Sequence, residues 1–132
     1  MKQELRTNRS QIIGFLFVTL AILFFSSIII QIFLAGIGLF VQGNWGYHTN
    51  FIHFFELIPL VLFVLSFFGG NLKTLRWQCL ALYFMTVLQY ITIVFSASSP
   101  YLSAFHLVIA SLLFWRSLVT ARSSVQLVKI KK

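Results

Sequence analysis

The residues of this sequence that could do chemistry are a few polar side chains set in apolar stretches. Three histidines, His48, His53 and His106, and one carboxylate, Glu56, lie inside or beside such stretches. Polar groups are costly in apolar surroundings, so each one calls for a reason. Neutral imidazole binds iron well, and two histidines can bind the two faces of a planar macrocycle. The sequence has no glycine-rich phosphate loop, no metal-spaced cysteine and histidine cluster, and no serine, histidine and aspartate set.

The composition indicates that lipid surrounds most of the chain. Of the 132 residues, 59% are hydrophobic and 9% are charged, and the mean hydropathy is +0.93. A soluble domain carries about a quarter charged residues. The formal net charge of +8 does not indicate nucleic acid, because Lys and Arg lie at the ends of the apolar stretches. There they act as topology signals and as contacts to anionic lipids. Cys79 is the one cysteine, so no disulfide within the chain is expected.

Four apolar stretches predict a single transmembrane domain, because each is close to the roughly 20 residues that cross a bilayer. The first is far longer than the roughly 7–15 residues of a signal peptide, so it is expected to be retained. Pro59 predicts a kink in the second span. Gly69 and Gly70 are expected to end that span, and Pro100 to begin the fourth. The predicted spans are residues 12–41, 51–68, 75–95 and 101–120, followed by a short basic, solvated tail at 121–132.

The basic residues also predict the orientation of the spans. They precede the first span, lie between the second and third, and end or follow the fourth, whereas the loops at 42–50 and 96–100 contain no Lys or Arg. The positive-inside rule then places both termini in the cytoplasm. We therefore expect an all-α, up-down four-helix bundle in the plasma (inner) membrane, with N-in and C-in topology.

The polar residues of the four spans fall at one depth, in the half nearer the outer surface. Helical spacing gives each span one polar or small-residue face, and a bundle would turn these faces inward. We expect His53 and His106 to ligate the iron of a b-type haem, with Gly38 and Ala110 leaving room for it. His48 is expected among the lipid head groups, although it could replace His53 as a ligand. The residues expected around one interior cavity are Gln31, Gly38, His53, Glu56, Gln89, His106 and Ala110.

Two other interpretations stay open at this point. Small and polar stripes are ordinary helix-packing devices, so the chain could be a cofactor-free scaffold or an accessory subunit of a larger membrane complex. A third possibility is a quinone site built from His53, Glu56 and Gln89. The expected partners are the lipid bilayer and either a membrane redox partner or a second copy of the chain. Haem binding would serve electron transfer or haem handling.

Spans three and four resemble the second helix pair of a haem A synthase half, and the chain as a whole resembles one such four-helix half. The resemblance is carried by Leu88-Gln89, by Ala104-Phe105-His106-Leu107 and by Ala110-Ser111-Leu112-Leu113-Phe114. It implies that His106 ligates haem. The synthases have a Glu three residues before a ligand His, whereas Asn50 precedes His53 and Trp45 precedes His48 at that distance. The resemblance therefore implies the haem-binding scaffold and not the oxidation of a haem methyl. The chain also resembles small four-span bacterial membrane proteins.

Overall fold

Every regular element of the described chain is helical. The computed structural model describes the backbone of residues 2–41 and 43–129, and the side chains of residues 8–41, 43–99 and 101–129. Within these ranges there is no strand, and four segments are long and apolar enough to cross a membrane. The chain is thus a multi-pass membrane protein. Its helices are α1 (Lys2–Phe40), α2 (Gly46–Phe51), α3 (Ile58–Leu65), α4 (Arg76–Val94) and α5 (Pro100–Lys129), with 3₁₀ segments at Ile52–Phe54 and Gly70–Leu75.

The first and last helices are longer than a bilayer requires. The 39 residues of α1 extend about 60 Å at about 1.5 Å per residue, twice the hydrocarbon thickness. The basic tail predicted at 121–132 continues α5 as a helix to Lys129 and does not begin as a separate segment at residue 121. Ala121 and Ser124 are buried in this continuation, and Val128 packs near Gly14 of α1. Lys131 and Lys132, predicted as part of that tail, lie outside the described residues, as does Gln42.

The second span is interrupted in its middle. The turn Phe55–Leu57 separates the 3₁₀ segment from α3, and Pro59 follows as the second residue of α3. Proline lacks an N–H donor, and its ring collides with the carbonyl group four residues earlier, here that of Phe55. The predicted kink at Pro59 is therefore present as a break. As a result the span consists of two short helices, Gly46–Phe51 and Ile58–Leu65.

Two apolar clusters form the core between the helices. One contains Phe17 and Ala21 of α1, packed against Leu62 and Cys79. The other contains Phe24 and Phe55, whose rings meet edge to face at a centroid distance of 5.9 Å. Each cluster takes residues from α1, the second span, α4 or its preceding 3₁₀ segment, and α5. Side-chain packing between helices, rather than exclusion of water, holds such a core together in lipid.

The two helix pairs of the chain repeat each other. The first pair is α1 with the second span, and the second pair is α4 with α5. Nine buried residues of the first pair have a counterpart 58 positions later in the second pair that is also buried. In this correspondence α1 is equivalent to α4, and α2 with α3 is equivalent to α5. The helix contacts agree with it, because the contact of α1 with α5 corresponds to that of α4 with α3. The contact of α4 with α5 likewise corresponds to that of α1 with α2 and α3. The two pairs are thus related by an approximate two-fold rotation. The nine buried pairs are Gly14 and Leu72, Phe17 and Leu75, Ala21 and Cys79, Phe24 and Leu82, Ile28 and Thr86, Phe55 and Leu113, Pro59 and Ser117, Leu62 and Thr120, and Ser66 and Ser124.

Candidate functional site

Gln31 and His48 join α1 to α2. The Nδ1 atom of His48 donates to the backbone oxygen of Gln31 at 3.1 Å. The Gln31 side-chain amide donates to the backbone oxygen of His48 at 2.9 Å, and its nitrogen lies 3.4 Å from Nε2 of the same ring. With the proton on Nδ1, Nε2 carries the lone pair that a metal ion would use. The Oε1 atom of Gln31 is buried and has no hydrogen-bond partner among the residues that the structure describes.

Gln89 and His106 join α4 to α5 by the same contacts. The Nδ1 atom of His106 donates to the backbone oxygen of Gln89 at 3.2 Å and lies 3.0 Å from Oγ1 of Thr92. The amide of Gln89 is satisfied when its nitrogen donates to the backbone oxygen of His106 at 3.1 Å and its oxygen accepts from Ala110 N at 2.9 Å. In that orientation the amide nitrogen is also 2.7 Å from Nδ1 and 3.3 Å from Nε2 of His106, so it lies closer to this ring than the Gln31 amide does to His48. Both Gln and His pairs are 17 residues apart, and the repeat of 58 residues relates one pair to the other.

The two histidine rings meet edge-on between the helix pairs. The ring centroids of His48 and His106 are 6.4 Å apart, and the ring planes meet at 63°. Their helical phase explains this position, because Phe55 and Leu113, seven residues after each histidine, are both buried. Seven residues are close to two helical turns, so each histidine lies on the buried face of its segment.

His53 and Glu56 do not share this interior position. The side chain of His53 is 61% exposed and that of Glu56 is 27% exposed. His53 lies two residues before buried Phe55, on the opposite face of the helix. The prediction that His53 faces the same cavity as His106 is therefore wrong, and His48 occupies that place. Glu56 instead accepts a hydrogen bond from the hydroxyl of Tyr90 and lies 3.3 Å from Nδ1 of His53.

The small residues predicted around the cavity have two different surroundings. Gly38 is covered by the indole of Trp45, and a Cβ atom added there would lie 2.7 Å from a ring carbon. Gly38 therefore allows Trp45, three residues before His48, to lie close against α1. Ala110 meets the site through its backbone N–H, which donates to Gln89. Of the predicted set, the structure brings together Gln31, Gln89, His106 and Ala110, and adds His48 and Thr92.

His48 and His106 are the two side chains that would hold an iron between the helix pairs. Their ring centroids are 6.4 Å apart, and a metal–imidazole bond is about 2 Å long. A hydrogen bond from Nδ1 to a backbone oxygen fixes each ring, so Nε2 would be the atom that binds the metal. In the part of the chain that the structure describes, no group of three or more His, Cys, Asp or Glu could hold a metal ion.

Sequence reasoning gave His48 only as an alternative ligand to His53, and it missed Thr92 and Tyr90 as site residues. The signal for His48 is present in the sequence, because His48 follows Gln31 by the same 17 residues that separate His106 from Gln89. Thr92 could have been found as the residue one turn after Gln89. Nothing in the sequence indicates that Tyr90 contacts Glu56, because the two residues belong to different spans and are 34 residues apart.

Comparison with known proteins gives one family. The family model described as "Family of unknown function (DUF6220)" matches residues 31–97, just over half of the chain. The matched range includes Gln31, His48, Glu56 and Gln89. No curated protein and no solved structure matches the chain. These findings do not show similarity to the haem A synthases, so that resemblance stays a hypothesis.

Proposed function

The chain belongs to the DUF6220 family, and we propose that it binds b-type haem in the membrane with His48 and His106 as the two axial ligands. The observation that carries the proposal is the contact between these rings, one from each helix pair, at a centroid distance of 6.4 Å. Each ring is held through Nδ1 by a backbone oxygen. Its Nε2 lies near a glutamine amide nitrogen, at 3.4 Å for His48 and 3.3 Å for His106, and would bind iron in place of that amide. His53, 61% exposed and paired with Glu56, is not part of this ligand set.

The protein residues hold and orient the ligands. Gln31 and Gln89 tie each histidine to the neighbouring helix through the backbone oxygen of that histidine. Thr92 fixes the His106 ring further, because its hydroxyl donates to the Gln89 backbone oxygen at 2.8 Å while lying beside Nδ1. Haem bound by two histidines supplies one-electron chemistry, which suits transfer to a redox partner in the membrane or haem handling for a larger complex.

The orientation of the site follows from the basic residues. We propose an up-down arrangement with both termini in the cytoplasm of a plasma (inner) membrane, because the positive-inside rule places Lys73, Arg76 and Arg122 on that side. Two contacts support the location of these basic segments at one end of the bundle. Gly14 lies near Val128, and Gly69 lies near Ile13. His48 and His106 would then lie near the outer surface. A reporter fused after Lys132 is expected to be active only in the cytoplasm, and periplasmic activity would refute this orientation.

The visible spectrum of the purified protein tests the haem proposal. Cells are grown with ample haem supply, and the reduced protein is expected to show a low-spin haem spectrum. His48→Ala and His106→Ala should each remove that spectrum and most of the haem, because each leaves the iron with one protein ligand. His53→Ala is the matched control and should retain both. Circular dichroism checks that every variant remains helical.

Two results would contradict this proposal. Wild-type protein without haem under these conditions would refute it and favour the cofactor-free scaffold, in which Gln31, His48, Gln89 and His106 only join helices. Loss of haem in His53→Ala with retention in His48→Ala would refute the choice of ligands.

A further inference from the structure

We infer that Glu56, Tyr90 and His53 form a second site, on the lipid-facing surface, that binds the head group of a lipid-soluble quinone or quinol. The triad joins the second span to α4. The Tyr90 hydroxyl donates to Oε2 of Glu56, and Nδ1 of His53 lies 3.3 Å from Oε1. The rings of His53 and Tyr90 stack with their centroids 6.4 Å apart and their planes at 28°. The inference does not depend on haem binding.

The break in the second span places Glu56 at this surface. Glu56 lies within the turn Phe55–Leu57, between the 3₁₀ segment and α3. Interrupted helices at membrane depth commonly mark binding sites, and their irregular backbone is tolerated where it is buried in protein or lines a cavity. The triad remains accessible from lipid, since Tyr90 is 36% exposed and His53 more so.

The internal repeat shows that the fold does not require this triad. The residues 58 positions from Glu56, Tyr90 and His53 are Phe114, Ile32 and Ser111. The second copy of the same structure is therefore built with apolar side chains at two of the three positions. A carboxylate within a span costs free energy that apolar Phe114 does not. The interior glutamine and histidine, by contrast, occur in both copies. We therefore assign the triad a role beyond folding.

The chemistry of the triad suits a quinone or quinol. The hydroxyl groups of a quinol can donate to the Glu56 carboxylate, and the carbonyl oxygens of a quinone can accept from Tyr90 or His53. The apolar surroundings suit a flat ring with a hydrocarbon tail, because Phe54 is 82% exposed and Leu57 is 59% exposed beside the triad. This site differs from the one predicted from the sequence, because Gln89 contacts His106 and Tyr90 takes its place.

Equilibrium binding of decylubiquinol, kept reduced, to the full chain in lipid nanodiscs tests the inference. Wild-type protein should bind it saturably. Glu56→Gln should weaken binding by about tenfold or more, because the quinol hydroxyl loses a charged acceptor. Tyr90→Phe should weaken binding by a smaller factor, because the hydrogen bond to the ligand that it removes joins two neutral groups. His53→Ala should weaken binding by a smaller factor. The matched control is Ser111→Ala, which changes the repeat counterpart of His53 and should leave binding unchanged.

The outcomes separate this site from the haem site. Absence of saturable binding by wild-type protein would overturn the inference, as would equal binding by wild type, Glu56→Gln and Tyr90→Phe. The triad would then only satisfy its own polar groups. Glu56→Gln should keep the haem spectrum of the wild type, because Glu56 does not contact His48 or His106. Saturable binding by wild-type protein that contains no haem, weakened in Glu56→Gln, would support the quinone site while the haem proposal fails.

Discussion

The bundle can be divided along its long axis into two halves, each containing part of all four spans, and the helices of the two halves are held together in different ways. The packed half comprises residues 13–28, 55–86 and 113–128, and the polar half comprises residues 29–54 and 87–112. Of the buried residues that the structure describes, only Gly38 and Thr92 lie in the polar half. Both halves face lipid around their outside, so exposure to lipid does not explain the difference. The packed half is joined by apolar side chains, and the polar half by hydrogen bonds of Gln31, His48, Gln89 and His106.

This difference bears on where the proposed haem would lie. Close-packed cores tolerate few changes in volume, so a ligand would fit poorly in the packed half. The polar half contains the two histidines of the proposed site, each hydrogen-bonded within its own helix pair. The internal repeat strengthens the comparison, because both copies change from packed to polar at equivalent residues. The predictions below test the two halves with variants of similar size.

The largest effect on stability is expected from Phe24→Ala in the packed half. Phe24 is 1% exposed and contacts the ring of Phe55. Removing the ring leaves a cavity, and we expect a loss of about 3 kcal/mol in the free energy of unfolding. Unfolding in detergent with increasing denaturant measures it. Phe33→Ala is the control on the same helix, because Phe33 is 67% exposed to the surroundings of the bundle. Equal losses in the two variants would contradict the packed half as the stabilising region.

A smaller effect is expected from Gly38→Ala in the polar half. The added methyl group would lie 2.7 Å from the Trp45 ring, so the indole must move, at a cost of about 1–3 kcal/mol. A shift in tryptophan fluorescence, together with lower thermal stability, measures this change. Gly36→Ala is a close control, because nothing lies within 4 Å of a Cβ atom there. Its alanine should be neutral or slightly stabilising. An unchanged Trp45 signal in Gly38→Ala would show that the contact does not matter.

The smallest effect on stability is expected from Gln31→Leu. The change removes the bond from the amide to the His48 backbone, while His48 keeps its bond to the Gln31 backbone oxygen. Hydrogen bonds between helices in membranes contribute about 0.6 kcal/mol on average, so the loss should be of that order. Gln89→Leu should cause a similar loss, because the repeat gives it the same role. Haem titration of both variants sharpens the test, since a less firmly held histidine should bind haem more weakly. Unequal effects would contradict the equivalence of the two pairs.

The sequence predicted the helices better than the side-chain positions. Apolar length identified all four spans, and Pro59 correctly marked the interruption, because both follow from local chemistry. The inward face of the second span was assigned from the spacing of His53 and Glu56, and this assignment was wrong. Periodicity shows which residues share a face, but not which face the other helices cover. Buried Phe55 decides that question, and its burial depends on Phe24 of another helix.

The same limit applies to the ends of the chain and to the surface triad. Residues after Thr120 looked like a solvated tail because Arg122 and Lys129 are charged, yet Ser124 is fully buried between helices. Small residues allow such close contact even in a polar sequence. The contact between Glu56 and Tyr90 joins two spans, so no local pattern could predict it. In contrast, the equal spacing of Gln31 to His48 and of Gln89 to His106 was available in the sequence.

The two-fold relation between the helix pairs has an evolutionary consequence. A ligand that lies between His48 and His106 contacts one equivalent side chain from each helix pair. Two helix pairs of identical sequence would therefore be enough to bind it. A two-helix chain of half this length, paired with an identical chain, would present the same two histidines and the same two glutamines through an isologous interface. Duplication and fusion of such a gene would preserve that centre from the outset. After fusion the two copies could change independently. The contact between Glu56 and Tyr90 occurs only once in this chain, whereas in a homodimer any such contact would occur twice.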